Sequence, residues 1–286
     1  MSVRVYVDNA ATSWPKPQTV VDAVGHYLSQ GGAPAGRSGY ADALDVDRQI
    51  ETTRRHLARM LGAADARCIA FTANGTDALN LAMFGTLRAG DRVLTTVAEH
   101  NSVLRPLRYL EETRGIEVER CPCDDDGKLD LVAFEAALAK PTRLVAITHA
   151  SNVTGVVQPL GHVIELAHAH GALVLMDAAQ TAGHLPIDID SLDVDMLAAP
   201  AHKGILAPSG LGFLYARQSL HQEWQFTRCG GTGTSSDDDR QPREMPTMLE
   251  VGSPNVAAII GLKAALDFFE SDRSIQEISR HEFLWG

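Results

Sequence analysis

The sequence has 286 residues, of which 45% are hydrophobic and 21% are charged, which is the composition of an ordinary globular protein. Its formal net charge of −11 argues against electrostatic binding to nucleic acid or to an anionic membrane surface, because both require a basic protein face. No apolar run is long enough for a transmembrane helix, and the N-terminus lacks the apolar stretch of a secretory signal. Four cysteines do not indicate a disulfide scaffold, so we expect a cytoplasmic protein.

Strand-like and helix-like segments alternate through the middle of the chain, which predicts a largely parallel sheet covered by helices on both faces. Before them, helices are expected near 17–29 and at 43–61. The strands are expected at 68–72, 92–97, 116–121, 144–148, 173–176, 195–198 and 212–215, and helices between them at 76–87, after residue 100, at 131–138 and at 161–170. No long helix separates the last two strands, so one of them is expected to run antiparallel. A loop-like stretch at 228–254 precedes a helix at 256–269 and the beginning of another.

Five polar motifs follow predicted strands, and ligands of open α/β sheets bind beyond the carboxyl ends of the strands. The motifs are Thr72-Ala-Asn-Gly-Thr-Asp77, Glu99-His100, His149-Ala-Ser-Asn152, Asp177-Ala-Ala-Gln180 and Ala201-His-Lys203-Gly204. Each of them also has an ordinary structural interpretation, as a helix cap, a turn or a buried side chain. Neither the Walker nor the dinucleotide-binding fingerprint is present.

Lys203 is the hardest of these residues to explain as a surface charge, because it follows a strand among small and apolar residues. A partly desolvated lysine is a candidate for Schiff-base chemistry. Pyridoxal phosphate needs such a lysine, a carboxylate beside its pyridinium nitrogen, a phosphate cradle at a helix start and a flat group over its ring. Lys203, Asp177, the pair Gly75-Thr76 and His100 match these requirements in turn. Their joint occurrence predicts pyridoxal 5'-phosphate as the cofactor.

Further motifs match a known family. The chain resembles the class V aminotransferases, and within them the cysteine desulfurase and selenocysteine lyase branch. The matching stretches are Asp8-Asn-Ala-Ala-Thr12, Thr76-Asp-Ala-Leu-Asn80, Glu99-His-Asn101, His149-Ala-Ser-Asn152, Asp177-Ala-Ala-Gln180, His202-Lys203-Gly204 and Gly252-Ser-Pro-Asn255. The resemblance implies the α/β fold of aspartate-aminotransferase-like, pyridoxal phosphate-dependent transferases. It also implies a large cofactor-binding lobe at 15–250 with a mostly parallel mixed sheet, and the start of an incomplete small lobe at 251–286.

The resemblance assigns a role to each site residue. Lys203 would form the Schiff base and move protons, His100 would stack on the ring and assist acid–base steps, and Asp177 would pair with the pyridine nitrogen. The remaining cofactor contacts would be Gly75, Thr76 and His202 at the phosphate, Gln180 at the ring hydroxyl and Asn152 near the ring. Ser253 would reach the phosphate of a neighbouring subunit, which implies a homodimer. No metal site is expected.

The implied activity is C–S bond cleavage in L-cysteine or a related amino acid, which yields alanine and enzyme-bound sulfur for a sulfur-acceptor protein. Two features depart from the family. Pro200 stands where some members have a phosphate-binding serine, and residue 286 comes before the region of the family's nucleophilic cysteine and substrate-binding arginine. We therefore expect impaired desulfuration by these residues alone. The alternatives are a class V aminotransferase or another pyridoxal phosphate lyase, and a cofactor-binding remnant without turnover.

Overall fold

A computed structural model of the chain describes residues 5–36, 39–233, 237–271 and 280. Its helices are α1 (Gln18–His26), α2 (Ala41–Met60), α3 (Gly75–Thr86), α4 (Asn101–Arg114), α5 (Leu131–Leu138), α6 (Leu160–Ala169), α7 (Ile189–Leu192) and α8 (Val256–Ser271). Its strands are β1 (Ile69–Thr72), β2 (Arg92–Thr96), β3 (Glu117–Cys121), β4 (Leu144–Thr148), β5 (Leu173–Asp177), β6 (Met196–Pro200) and β7 (Gly212–Ala216). The segment after α8, where the sequence predicts another helix, lies almost entirely outside the described residues.

The strands form one seven-stranded sheet in the order β1-β7-β6-β5-β4-β2-β3. Strands β2 to β6 are parallel to one another, whereas β7 runs antiparallel to both β6 and β1. This confirms the mostly parallel sheet and the antiparallel direction expected for one of the last two strands. Because β7 is antiparallel to both of its neighbours, β1 points in the same direction as β2 to β6. The carboxyl ends of all of these strands therefore lie at one edge of the sheet.

Helices cover both faces of the sheet, which explains why its central strands are apolar along their whole length. One core lies between the sheet and α2, α5, α6 and α8, and a second lies between the opposite face and α3 and α4. Along β4, Val145 and Ile147 belong to the first core, whereas Leu144 and Ala146 belong to the second. Successive strand residues point to opposite faces, so a strand buried on both sides needs apolar residues at every position.

Both ends of the described chain pack on the first core. Helix α1 is shorter than the sequence pattern predicts, because a π-helical turn at Tyr27–Gly31 follows it and Gly32, at φ +66°, ends the segment. Helix α8 packs against α1 and α2. A boundary between two lobes at residue 251 stays a prediction. None of the described helices is both long and apolar enough to cross a membrane, and the cytoplasmic location stays a prediction too.

The strand order reverses at β2, which has β3 on one side and β4 on the other. Between β2 and β4 the register pairs Val93 with Leu144 and Leu94 with Val145, in the amino-terminal part of both strands. Beyond these pairs a side chain bridges the strands, since the Thr95 hydroxyl donates to the Ala146 carbonyl at 2.8 Å. The two strands thus separate toward their carboxyl ends. Such a reversal point forms the crevice in which open α/β sheets bind ligands.

Candidate active site

The five polar motifs meet at the edge where β1 and the parallel strands end. A cavity of about 140 Å³ at this edge receives residues from every one of them. The predicted site residues that line it are Gly75, Thr76, His100, Asn152, Asp177, Gln180, His202 and Lys203. The fold therefore brings together residues that are up to 128 positions apart in the sequence (203 − 75).

Ser253 is the predicted site residue that this cavity does not include. It lines a separate and larger cavity of about 550 Å³, together with Arg54 and Glu250. Those two residues form an ion pair with an N–O distance of 2.5 Å, and the Arg54 side chain is 2% exposed. Within one chain, then, Ser253 is not part of the site, and its role toward a neighbouring subunit stays a prediction.

The N-terminus of α3 forms one wall of the cavity. The side chain of Asn74 caps this helix. Gly75 has no space for a side chain, because a Cβ atom there would lie 2.9 Å from Cδ of Pro200. The hydroxyl oxygens of Thr76 and Ser102 are 2.8 Å apart and share a hydrogen bond. Backbone N–H groups at a helix start, the helix dipole and two hydroxyl groups together suit an anion such as phosphate.

His100 is oriented by the first turn of α4. Its Nδ1 accepts a hydrogen bond from the backbone N–H of Ser102 at 3.1 Å and lies 2.8 Å from the hydroxyl of the same residue. An accepting Nδ1 leaves the proton of a neutral imidazole on Nε2. Sequence reasoning missed Ser102, which links His100 to Thr76. Its signal was its place in the first turn of the helix that follows the Glu99-His100 motif.

Asp177 ends β5 and is only 4% exposed. One of its oxygens accepts a hydrogen bond from the backbone N–H of Ala179 at 2.9 Å. Burial raises the pKa of this carboxyl group, whereas Lys203 and His100 act in the opposite direction. A cation bound in the cavity beside Asp177 would favour the ionised carboxylate further.

Lys203 lies in a tight turn after β6 and is half-buried. Its carbonyl oxygen accepts a hydrogen bond from the Leu206 N–H at 2.9 Å, and the next residue, Gly204, has no room for a Cβ atom against the His184 ring. Burial lowers the pKa of Lys203, although the charge of Asp177 opposes this. A lower pKa increases the neutral fraction of the amine, which is its nucleophilic form.

The N-terminal segment covers one side of the site. The hydroxyl of Thr12 lies 3.0 Å from Nδ1 of His202, and the Gln180 amide donates to the Ala10 carbonyl at 3.2 Å. Lys16 donates from Nζ to the carbonyl of His202 at 2.6 Å, and burial lowers the pKa of Lys16 to about 8. Lys16 was also missed. Its signal was its closeness to the N-terminal motif that the family resemblance had already placed at the site.

The loop after β4 contributes Asn152 to the cavity but not His149. Nδ1 of His149 lies 2.9 Å from the hydroxyl of Thr181 instead. Burial lowers the pKa of His149 to about 4, so its imidazole is neutral at physiological pH. We therefore assign His149 a structural role, whereas Asn152 remains available to a ligand.

All four cysteines of the sequence lie in the described residues, and none of them lines the cavity. Cys68 and Cys121 are buried, and burial raises the pKa of each thiol to about 11. Cys123 is half-buried and Cys229 is exposed. A thiol is nucleophilic as its thiolate, so the two buried cysteines are poor nucleophiles.

Comparison with known proteins gives matches along nearly the whole chain. The family model described as aminotransferase class-V matches residues 5–284. A probable cysteine desulfurase of Vibrio cholerae is 36% identical over 285 residues, which cover 97% of this chain and 70% of that protein. The apo structure of the cysteine desulfurase from Thermococcus onnurineus is similar with a TM-score of 0.90 and 33% identity, and the match covers 97% of this chain and 70% of that one.

A third similar protein is C-DES, described as a cystine C–S lyase. Its structure with glycine covalently linked to the PLP cofactor matches with a TM-score of 0.85 and 25% identity, over 97% of this chain and 75% of that one. Sequence and fold thus agree over almost all of the described residues. This chain belongs to the class-V aminotransferase family.

Proposed function

We propose that this chain carries the cofactor site of a pyridoxal phosphate-dependent, cysteine desulfurase-like enzyme, which cleaves the C–S bond of L-cysteine or a related amino acid. The observation that carries the proposal is the convergence of Lys203, Asp177 and the N-terminus of α3 on one cavity. The relatives named cysteine desulfurase support the substrate class, and C-DES with its PLP cofactor supports the cofactor.

The donor groups in the cavity fit the chemical parts of pyridoxal phosphate. The cofactor has a phosphate, a ring hydroxyl, a pyridine nitrogen and an aldehyde carbon. We assign Gly75, Thr76 and His202 to the phosphate, Gln180 to the hydroxyl, Asp177 to the nitrogen, Lys203 to the aldehyde carbon, and His100 and Asn152 to the ring. When bound, the cofactor supplies an electron sink for bond cleavage at the carbon atoms of the amino acid.

The surroundings of each residue indicate what it contributes. The Asp177 carboxylate would stabilise positive charge on a ring nitrogen, because it is buried and lines the cavity. Lys203 would accept and return a proton at the substrate, since its lowered pKa makes the amine a base closer to neutral pH. His100 can exchange a proton through Nε2, because Nδ1 is occupied by Ser102.

Cysteine sulfinate is the substrate that best distinguishes a desulfurase-like enzyme from an aminotransferase and from a cofactor-binding remnant. Its sulfur leaves as sulfur dioxide, which water converts to sulfite, so that no protein thiolate is needed. With pyridoxal phosphate added, a desulfurase-like site should convert cysteine sulfinate to alanine and sulfite. Transfer of the amino group to an added keto acid, without release of sulfite, would favour an aminotransferase. Cofactor binding without turnover of cysteine sulfinate, L-cysteine or L-selenocysteine would favour a remnant.

A C–S lyase that eliminates sulfur is the second candidate, because none of the four cysteines lines the cavity and elimination needs no protein thiol. This reaction turns L-cysteine into sulfide, pyruvate and ammonia. Desulfuration instead leaves alanine. Measuring alanine and pyruvate in the same reaction therefore distinguishes the two candidates.

The 286 residues are expected to release little sulfide from L-cysteine on their own. Transfer of the sulfur requires a thiolate at near-attack distance, and a misplacement of about 1 Å costs roughly a hundredfold. We expect a rate at least a hundredfold below the roughly 1 per second of an ordinary enzyme, measured as sulfide and persulfide. Cys229→Ser should change nothing. Sulfide release at about 1 per second that disappears in Cys229→Ser would contradict this expectation.

The functional unit is expected to be a homodimer in which Ser253 serves the neighbouring site. Light scattering with bound cofactor should give twice the mass of the chain. Ser253→Ala should weaken cofactor binding by roughly tenfold to a hundredfold, because a hydrogen bond to a charged group contributes roughly 1.5–3 kcal/mol. Ser191→Ala, on α7 and outside both cavities, is the matched control. A monomer that binds the cofactor with unchanged affinity would rule out the arrangement.

A further inference from the structure

Glu99 is a buried carboxyl group that the proposed function leaves unused. It is 7% exposed and directly precedes His100, but it does not line the cavity. It lies at the crevice where β2 and β4 separate. A buried ionisable group next to a residue that lines a binding site needs an explanation, because burying a charge is costly.

One oxygen of Glu99 joins the separated strand ends. Oε1 accepts hydrogen bonds from the hydroxyl of Thr96, the last residue of β2, at 2.8 Å, and from the backbone N–H of Thr148, the last residue of β4, at 3.0 Å. An unpaired buried N–H costs free energy comparable to a lost hydrogen bond. The carboxyl group of Glu99 therefore provides the acceptor for the Thr148 N–H, which lies beyond the residues where β2 and β4 pair. Glu99 thus spans the gap immediately before His100.

The other oxygen indicates the protonation state. Oε2 is buried and, among the described residues, has no hydrogen-bond partner. Within the same residues no lysine, arginine or histidine forms an ion pair with Glu99. An ionised carboxylate without a cation and with one unsolvated oxygen is far more costly to bury than a neutral acid. Burial accordingly raises the pKa of Glu99 to about 8.

Asp177, at the end of β5, adds to this effect. Its negative charge disfavours a second charge on Glu99. The two carboxyl groups differ in their cations: burial raises the pKa of Asp177 and Lys203 and His100 counteract that rise, whereas no cation counteracts it for Glu99. When two nearby carboxyl groups compete for a single proton, the one without a cation retains it. Glu99 is that group.

The other titratable groups around Glu99 do not supply a positive charge. Cys123, after β3, has its thiol pKa raised, with burial as the largest cause. His149, after β4, is neutral and bonds to Thr181. The Glu99 site is therefore flanked by one carboxylate, one neutral thiol and one neutral imidazole, with His100 next to it in the chain.

We propose that Glu99 is a positioning residue that keeps its proton at neutral pH, so that it ties the ends of β2 and β4 together without placing a second negative charge beside Asp177. Its link to catalysis rests on the proposed function, because it would act by holding the His100 segment beside the cofactor site. The proton itself is a property of the chain without any cofactor. The protonation of Glu99 and its positioning role in catalysis can therefore be tested separately.

Infrared spectroscopy detects the proton directly. In protein with ¹³C-labelled glutamate and no cofactor, the shifted C=O band of a protonated carboxyl group should persist at pH 7 and disappear as the pH rises toward 9. Glutamate labelling keeps the signal of Asp177 out of that band. Glu99→Gln should remove the band, and Glu135→Gln, at an exposed residue of α5, should not. A purely ionised glutamate spectrum at pH 7 would overturn the proposal.

Thermal unfolding of the same cofactor-free proteins gives an independent readout. The pKa of Glu99 is higher in the folded than in the unfolded chain, so its stabilising effect is complete below the unfolded value of about 4.3 and is lost as the pH rises through about 8. Glu99→Gln cannot ionise. Its melting temperature should therefore rise relative to that of the unchanged protein by roughly 3 °C per pH unit between about pH 5 and 8. A melting-temperature difference between the two proteins that stays constant over this pH range would refute the protonation of Glu99.

Activity then tests the positioning role. On cysteine sulfinate, Glu99→Gln should retain kcat within about threefold at pH 7 and keep it above pH 8, where the unchanged protein should lose activity. Glu99→Ala, which leaves the Thr148 N–H unpaired, should lower kcat at every pH. Equal pH profiles for Glu99→Gln and the unchanged protein would overturn the positioning role. If the infrared band is present but no cofactor binds, the proposed function fails and the proton on Glu99 stands.

Discussion

Replacing Lys203 with alanine is expected to lower the turnover of cysteine sulfinate by at least about a thousandfold. This lysine is the half-buried amine that follows β6 and lines the same cavity as the α3 N-terminus. Its removal would take away both the proposed covalent attachment of the cofactor and a base whose pKa is lowered by burial. Turnover is measured as alanine formed at saturating cofactor.

Two further variants test whether the loss of turnover is due to the Lys203 amine itself. Lys203→Arg keeps a positive charge but not a nucleophilic amine, so it should be as inactive as Lys203→Ala. Lys140→Ala removes an exposed lysine and should leave turnover and melting temperature unchanged. Retention of more than about a tenth of the activity in Lys203→Ala would show that another group performs the role.

Replacing Asp177 with asparagine is expected to lower kcat by roughly a hundredfold to a thousandfold, which is the usual effect of removing one preorganised electrostatic contact. Asparagine has nearly the same size and can still accept the hydrogen bond from the Ala179 N–H, so the fold should persist. It cannot provide the negative charge that stabilises a protonated ring nitrogen. Steady-state kinetics with cysteine sulfinate measure the loss.

A matched control for this variant is Asp126→Asn, in an exposed loop after β3. It should leave kcat unchanged. Circular dichroism should show the same helix content in both variants. An Asp177→Asn protein with normal kcat and normal spectrum would remove Asp177 from the proposed chemistry.

The layer architecture could be predicted from the sequence because it depends on local patterns. Apolar runs of strand length alternate with segments of helical periodicity, and this pattern places the helix at Leu131–Leu138 and the strand at Leu144–Thr148 where the structure has them. Polar residues at the strand ends could also be recognised as site candidates, because parallel strands bring their carboxyl ends to one edge of the sheet.

The contacts that complete the site were not predictable, because they join distant segments. Lys16 bonds to the carbonyl of His202, 186 positions away, and only the folded N-terminal segment brings the two together. The sequence shows Glu99 only as the residue before His100, whereas its proposed role depends on the contact with Thr148 at the point where β2 and β4 separate. Local periodicity contains no information on that gap.

The central claim is tested most directly by mapping where pyridoxal phosphate attaches. The chain is loaded with the cofactor, reduced with borohydride, digested and analysed by mass spectrometry. Of its five lysines, we predict that the one in the peptide containing Lys203 carries the cofactor. The nearest competitor is Lys16, whose Nζ lies 2.6 Å from the carbonyl of His202 and whose pKa is lowered to about 8. Stoichiometric attachment at Lys16 or any other lysine, with Lys203 unmodified, would contradict the assignment.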